Sequence, residues 1–341
     1  MSEPRRFLIV RLGSLGDVIH AIPAAAAIRR RYPDARIDWL VDPRYVELLG
    51  LVQGLDQTIA IDPRWLRQGT QRRIFLARMR ELRGRRYDVV IDLQGLLKSA
   101  VLAKAVGGRR TIGFSRAELR ERAAVLFYND TRDTSGSAHV VYKNLALLDA
   151  IDVHERQVRF PLNIPQTAAG RAARARFGEA GYALINPGAA WPNKRWPPKR
   201  FGAVAAAIRR DLGVPSLVLW GPGEEAMAAE VIAASEGAAE LSLPTTIVDL
   251  VGLAHGARLM VSGDTGPLHI AGASGTPLVA LFGPTYAERN GPWSESDITV
   301  SRVAECICRY ERRCHRATRC IDDIWVDDVV DAVRRRMGVD G

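Results

Sequence analysis

The chain contains no apolar run approaching the ~20 residues needed to cross a bilayer. Its first apolar run, Phe7-Leu-Ile-Val10, is shorter than a signal-peptide core, and no small-residue cleavage site follows it. Both absences predict a cytoplasmic protein. Lysine is scarce, with five residues at 98, 104, 143, 194 and 199 in a Lys plus Arg total of 48, so the net charge of +10 is an arginine surplus. Such a surplus suits nucleic acid, an anionic membrane face or a phosphorylated substrate, and compositional drift produces it equally well. No recognition helix or RNP-type strand is present and the arginines are spread along the chain, so nucleic acid is not expected as a partner. Cysteine is rarer still, and all four residues (Cys306, Cys308, Cys314 and Cys320) fall in one short segment. A cytosolic setting argues against disulfides. The spacing C-x-C-x5-C-x5-C lacks the C-x2-C knuckles of common zinc sites, so no metal is assigned, although His315 offers a further ligand. The dinucleotide fingerprint G-x-G-x-x-G is also absent.

What the chain does have is a repeated grammar of strand, polar glycine turn and helix. At 341 residues with 47% hydrophobic and 25% charged content, it has the profile of a two-domain globular protein. Phe7 to Val10 reads as a strand, the turn Arg11-Leu-Gly-Ser-Leu-Gly-Asp17 follows, and Val18 to Arg31 reads as a helix. Further strands are expected at 36–41, 57–61, 88–93 and 107–113, with a basic helix within 62–86, helical segments after Gln94 and within 114–128, and a helix over 139–150. Residues ~152–180 change character and mark a linker, with a short edge segment at Val158 to Leu162. The second half restarts at 182–185. It continues through Pro197-Pro198 at a helix start, a strand at 216–220, Gly221-Pro-Gly-Glu-Glu225, a helix at 245–255 and a final amphipathic helix at 324–337. Between the last two lies Leu259-Met-Val-Ser-Gly-Asp-Thr-Gly266, a short helical stretch with His269, a strand at 277–282 and Gly283-Pro-Thr285. Strands alternating with helices predict parallel sheets, and ligands bind such sheets at the carboxyl ends of the strands.

That rule picks out the candidate residues. Asp17 stands at a helix start, where it serves either as a cap or as an ionised carboxylate able to take a proton from a hydroxyl. Asp264, Thr265, Gly266 and His269 form a second polar turn, readable as an anion-friendly crevice or as a tight turn capped by Asp264. Lys194 and Arg195 precede the helix at Pro197-Pro198, and cations beside free helix amides suit a diphosphate, with Trp191 and Trp196 framing the loop. Glu225, with Glu224 beside it, is placed to accept from ribose hydroxyls or simply to favour a helix N-terminus.

Four stretches occur together and in order: Arg11-Leu-Gly-Ser-Leu-Gly-Asp-Val-Ile-His-Ala-Ile-Pro23, Asp92-Leu-Gln-Gly-Leu-Leu-Lys-Ser99, Lys194-Arg-Trp-Pro197, and Ser262-Gly-Asp-Thr-Gly-Pro-Leu-His269 with Gly283-Pro-Thr285. Covering residues 6–337, they resemble glycosyltransferase family nine, the bacterial lipopolysaccharide heptosyltransferases. Three segments are closest to the heptosyltransferase I branch: Gly16-Asp17, Asp92 to Lys98, and the Arg120 segment before Phe127-Tyr-Asn129. The cysteine segment is more similar to heptosyltransferase II.

The resemblance implies a GT-B architecture, α/β with two Rossmann-like domains facing a central cleft. It sets an acceptor-binding domain at 1–165, a nucleotide-sugar domain at 166–322 and a terminal helix at 323–341 packing back toward the first domain. It implies inverting transfer of L-glycero-D-manno-heptose from ADP-heptose to Kdo-lipid A, with heptosyltransferase II or another acceptor or nucleotide sugar as the alternative. Asp17 matches the catalytic base. Lys194 matches the cation for the donor diphosphate, so that no cofactor and no metal is required there. Asp264 and His269 match the donor-facing turn, with Asp264 a partner of heptose hydroxyls. Thr265 and Gly266 offer backbone amides, and Glu225 or Glu224 matches the ribose ligand. Arg120, Lys143, Arg64, Lys98 and Gly16 match the acceptor side, where carboxylates and phosphates suit guanidinium forks. Ala189 and Ala190 stand where heptosyltransferase I proteins can carry threonine hydroxyls, which leaves Ala190 to contribute its backbone. The lipid-linked acceptor implies peripheral association with the cytoplasmic face of the inner membrane.

Overall fold

A computed structural model describes residues 4–339. The chain divides between Asn163 and Ile164 into two compact units, two residues before the boundary expected from sequence.

The first unit holds six strands: β1 (Arg6–Val10), β2 (Arg36–Val41), β3 (Gln57–Ala60), β4 (Val89–Asp92), β5 (Arg110–Phe114) and β6 (Asp130–Arg132). Its helices are α1 (Leu15–Arg31), α2 (Val46–Leu49), α3 (Gly69–Gly84), α4 (Leu97–Val106) and α5 (Val140–Leu147). The sheet runs in the order β3-β2-β1-β4-β5-β6 and every pairing is parallel, with Val10 opposite both Leu40 and Asp92. A parallel sheet covered on both faces needs strands apolar on both faces, which explains why Phe7 to Val10 and Val89 to Ile91 read as continuous hydrophobic runs and are buried throughout. The basic stretch before β4 folds as expected: α3 buries only Phe75 and Leu82 and leaves its arginines largely outside.

The second unit repeats the plan. Its strands are β7 (Ala183–Asn186), β8 (Ser216–Val218), β9 (Ala239–Leu241), β10 (Leu259–Gly263), β11 (Leu278–Phe282) and β12 (Ile298–Ser301). Its helices are α6 (Ala168–Phe177), α7 (Pro198–Leu212), α8 (Glu225–Ala233), α9 (Ile247–Gly256), α10 (Gly266–Ala273), α11 (Ala287–Asn290) and α12 (Val326–Met337). The order β12-β11-β10-β7-β8-β9 is again all parallel. α7 shows why the local sequence folds as it does. Pro198 opens it, Gly213 closes it in the left-handed region, and Phe201, Val204, Ala205 and Ile208 at helical spacing form its buried stripe.

Counted from its own first strand, each sheet has the order 3-2-1-4-5-6. Both are doubly wound, with the switch in winding direction between the first and fourth strands, and this pair of Rossmann-like sheets is the GT-B fold class. Two details depart from the sequence reading. Val158 to Leu162 is not a strand; it makes a single antiparallel bridge, Leu162 to Val52. The segment 114–128 forms a short 3-10 turn at Arg122–Phe127 rather than an α-helix. The last helix buries its apolar face within the second unit. Val329, Val330, Ala332 and Val333 are buried in the core of their own unit, where α12 packs on α7, β11 and β12.

Candidate active site

In an all-parallel sheet every carboxyl end lies along one edge, and the switch point opens a crevice there. In the first unit that crevice lies between the turn after β1 and the turn after β4. Backbone and side chains cross-link the two: the Leu12 amide donates to Gln94 Oε1 at 2.9 Å, and Arg11 Nη1 donates to the Leu93 carbonyl. Arg11 is buried, and its Nη2 lies 2.5 Å from Asp17 Oδ1. The other carboxylate oxygen of Asp17 accepts from the Ser14 amide at 3.0 Å and the Ser14 hydroxyl at 2.8 Å. Asp17 therefore does cap α1, yet its side chain keeps 35% of its surface open. The sequence offered the cap and the reactive carboxylate as alternatives; the geometry is compatible with both at once.

Beneath this edge lies a carboxylate that sequence reading placed only within a motif. Asp92 is fully buried, and accepts from the Gln94 amide (2.8 Å), Ser99 Oγ (2.8 Å) and Tyr128 OH (2.7 Å). Burial pushes its carboxyl group up, against those hydrogen bonds. It fixes the turn that carries Gln94 and Lys98.

The expected acceptor residues lie on loops and helix starts of this unit, in differing states. Arg120 and Lys98 are exposed. Gly16 is buried in the first turn of α1. Lys143 is paired with Glu118 at 3.1 Å, and Arg64 with Asp62 at 2.7 Å.

In the second unit the switch point lies between β7 and β10. Asn186, at the end of β7, donates to Ser262 Oγ (2.9 Å), Thr265 Oγ1 (3.1 Å) and the Gly188 carbonyl (3.2 Å), tying the two turns together. Asp264 follows β10 with its side chain only 5% exposed. Its Oδ2 pairs with Lys194 Nζ and accepts from Thr285 Oγ1 at 2.6 Å. Its Oδ1 accepts from Asn290 Nδ2 at 2.9 Å and lies 3.5 Å from His269 Nε2. Burial alone would raise this carboxyl; the His269 hydrogen bond and the Lys194 charge override it and hold Asp264 well below the usual carboxylate range.

With four protein partners on its two oxygens, Asp264 is tied to Lys194, Thr285, Asn290 and His269. Lys194 is fixed from its other side by the Trp191 ring, whose centroid is 4.7 Å from Nζ. Trp196, expected to frame the same loop, is instead a core residue, 1% exposed, packed edge-on against Phe201 and donating to the Ile324 carbonyl. Thr265 is the N-cap residue of α10 and Gly266 its first residue, both half-buried. Ala190 is exposed on the loop before Trp191.

The two glutamates separate clearly. Glu225 is exposed at the start of α8. Glu224 turns inward, accepting from the Gly221 amide at 3.0 Å, and its carboxylate lies where a side chain on Gly188 would have to sit, 2.3 Å from that Cβ position. Only glycine at 188 leaves room for the carboxylate beside the loop. Arg11, Asn186, Thr285 and Asn290 were not singled out from sequence. Arg11, Asn186 and Thr285 stand just past or at a strand's carboxyl end, a position that was the available signal; Asn290, eight residues beyond β11, had none.

Residues 75–318 match the family model for glycosyltransferase family 9 (heptosyltransferase). The lipopolysaccharide heptosyltransferase 1 of Pseudomonas aeruginosa is 30% identical over 91% of this chain and 87% of its own length. Among solved structures, a glycosyl transferase family 9 protein from Veillonella parvula superposes with a TM-score of 0.80 at 21% identity, covering 99% of this chain and 98% of that one. The E. coli heptosyltransferase WaaC with ADP gives a TM-score of 0.76 at 23% identity over 97% of this chain and 99% of that one.

Proposed function

The chain belongs to glycosyltransferase family 9 and is a glycosyltransferase, and from that premise we propose that it transfers L-glycero-D-manno-heptose, with inversion, from ADP-heptose to the Kdo of Kdo-lipid A. In this reading Asp17 takes the proton from the acceptor hydroxyl as that oxygen attacks the anomeric carbon. The bond between that carbon and the diphosphate oxygen breaks, and ADP departs with the electron pair. A single displacement of this kind inverts the anomeric centre. Arg11 and Ser14 hold the Asp17 carboxylate in one orientation, which matters because a general base must be within hydrogen-bond reach of the proton it takes.

Lys194 meets the negative charge that grows on the departing diphosphate, aided by the amides at Thr265 and Gly266 where α10 begins. Its ammonium is already fixed by Asp264 and Trp191, so it need not reorganise during the reaction. That fixed ammonium at the β7/β10 switch point is the observation that carries the donor assignment. Glu224, beside Gly188, is the better-placed of the two glutamates to accept from the adenosine ribose. The E. coli heptosyltransferase WaaC was solved with ADP. On the acceptor side, Arg120 and Lys98 come first, since Lys143 and Arg64 would have to exchange existing carboxylate partners. The lipid-linked acceptor places the work at a membrane surface. Among the described residues no helix is long and apolar enough to cross a bilayer, so the proposed association is peripheral and electrostatic.

Thermal-shift titration with ADP, UDP and GDP, with and without their sugars, tests the donor. Stabilisation by ADP and more strongly by ADP-heptose is expected, and a shift with UDP alone would overturn the heptose reading.

A further inference from the structure

The segment between β12 and the 3-10 turn at Cys320–Asp323 is strongly basic, with six arginines against two glutamates over residues 302–319. Most of these guanidiniums already have a partner in the chain. Arg302 pairs with Asp328 at 2.6 Å, Arg316 with Asp323 at 3.1 Å and Arg319 with Asp322 at 2.7 Å. Arg309 donates to the Val303 and Ala304 carbonyls. Arg312 is exposed, and among the described residues its guanidinium has neither a carboxylate nor a carbonyl partner; the carboxylate of its neighbour Glu311 lies 2.9 Å from His315 Nε2 instead. Arg289, in α11, is in the same state.

Both of these guanidiniums are nevertheless seated. Arg289 lies 5.7 Å from the centroid of the Tyr310 ring, and Arg312 lies 5.8 Å from that of Trp191. Arg309 lies over Tyr286 at 5.7 Å, and the two tyrosine rings are 5.9 Å apart, so each of the two segments lends an arginine to the other's ring. Tyr310 is held there against a cost. Its φ of 60° lies in the left-handed region, which a bulky residue adopts only where its surroundings impose it, and its amide donates to the Pro284 carbonyl at 2.9 Å. A guanidinium fork fixed on a ring loses little freedom on meeting an anion, and the ring beside it offers an apolar face to the C–H face of a sugar.

We propose that Arg289 and Arg312, seated on Tyr310 and Trp191, form a subsite of the second unit for an anionic sugar, a saccharide carrying a carboxylate or a phosphate. The patch is continuous with the donor turn. The Trp191 ring also carries the Lys194 ammonium, and Asn290, next to Arg289, donates to Asp264 at 2.9 Å. The identity of the sugar rests on the transfer reading above. Attacking oxygen and anomeric carbon must come within about 3–3.5 Å, so an acceptor reaches the groups that border the donor, and Kdo-lipid A carries both kinds of anion. In that reading Lys194 and the amides of α10 meet the diphosphate, which leaves these two cations for a second anion. Arg309, engaged by carbonyls, positions the two tyrosine rings.

Two charged probes separate the sources of the anion: the methyl glycoside of Kdo, with a carboxylate alone, and N-acetylglucosamine 1-phosphate, with a phosphate alone. Methyl mannoside is the neutral control. Saturation-transfer NMR on the full-length protein at low ionic strength should detect at least one charged probe and not the neutral one. Arg289→Gln combined with Arg312→Gln changes two exposed side chains, so the circular dichroism spectrum and melting temperature should stay native. The double variant should weaken the bound probe at least about tenfold and raise the KM for the lipid-linked acceptor by a similar factor, the loss expected when charge-assisted hydrogen bonds are removed. Its Kd for ADP should stay at the wild-type value. Equal binding of the neutral sugar, no binding of either charged probe, or full probe affinity in the double variant overturns the proposal. So does a variant that loses ADP in step with the probe, which would assign the arginines to the nucleotide, or one that loses only its capture by phosphatidylglycerol vesicles, which would assign them to a lipid surface. A thermal shift with UDP alone overturns the heptose reading and leaves the charged-sugar result standing, whereas an ADP shift with a wild-type acceptor KM in the double variant does the reverse.

Discussion

Asp17 occupies a position where one side chain can do two jobs, because a carboxylate has two oxygens. One closes the first turn of α1 through Ser14, and the other is held by Arg11. Asp17→Asn preserves the shape and removes the proposed base. It should lower transfer by about 10²–10⁴-fold while the ADP-induced thermal shift stays at its wild-type value; unchanged turnover would remove Asp17 from the mechanism. Asp264 has a different kind of role, and pH reads it out. Its carboxyl lies below the ordinary value when folded, so the stability it contributes is present above the unfolded value of ~3.9 and is lost as pH falls toward and through the folded one. Melting temperatures of wild type and Asp264→Asn should accordingly differ most at neutral pH, with the gap starting to narrow below about pH 5 and still narrowing below about pH 3. A gap independent of pH would contradict the assignment. Lys194→Ala leaves that carboxylate buried without its cation, so it should both destabilise the second unit by about 3–5 kcal/mol and weaken donor turnover, and calorimetry beside steady-state kinetics separates the two.

At the scale of elements, close approaches set where the reactive turns can lie. Gly113 in β5 has the Tyr128 ring directly over it, with ring carbons 2.3–2.5 Å from where a Cβ would be. Tyr128 must lie there for its hydroxyl to reach Asp92, which in turn pins Gln94 and Gly95. Gly113→Ala should therefore cost about 1–3 kcal/mol in urea denaturation and also impair transfer, although no substrate role is assigned to it. Glu224 and Glu225 make a paired test of a second close approach. Glu224→Gln should weaken ADP binding in calorimetry and Glu225→Gln should not, because only Glu224 lies against Gly188. The reverse result would return the ribose to Glu225.

For the molecule as a whole, two all-parallel sheets with one strand order give two switch points, each bearing one half of the proposed chemistry. Around them lies a surface with a net charge of +10 and an isoelectric point near 9.8. The solvent side of α3 carries Arg73, Arg80 and Arg83, with the exposed apolar side chains Leu66, Ile74 and Leu76 nearby. Sedimentation with phosphatidylglycerol-containing vesicles should capture the protein at low ionic strength and release it in high salt, where the Debye length contracts to about 3 Å at 1 M. Capture by neutral vesicles, or no capture at all, would count against the peripheral association.

The sequence alone determined nine of the twelve strands that the structure describes, and the turns proposed to carry the site. Continuous apolar runs such as Phe7-Leu-Ile-Val10 can be satisfied only where both faces are covered, and Gly-Asp turns recur at their carboxyl ends. The short edge strands β6, β9 and β12 were less legible, because three or four half-buried residues carry too little periodicity. Tertiary structure decided which polar groups face one another. It put Trp191 beside Lys194 but Trp196 in the core, gave Asp264 four partners, turned Glu224 rather than Glu225 toward Gly188, and seated α12 on its own unit. It also gathered four cysteines whose spacing alone resembled no standard knuckle. Periodicity encodes whether a residue is buried, whereas the partner it meets depends on contacts across tens or hundreds of residues, which only the folded chain sets.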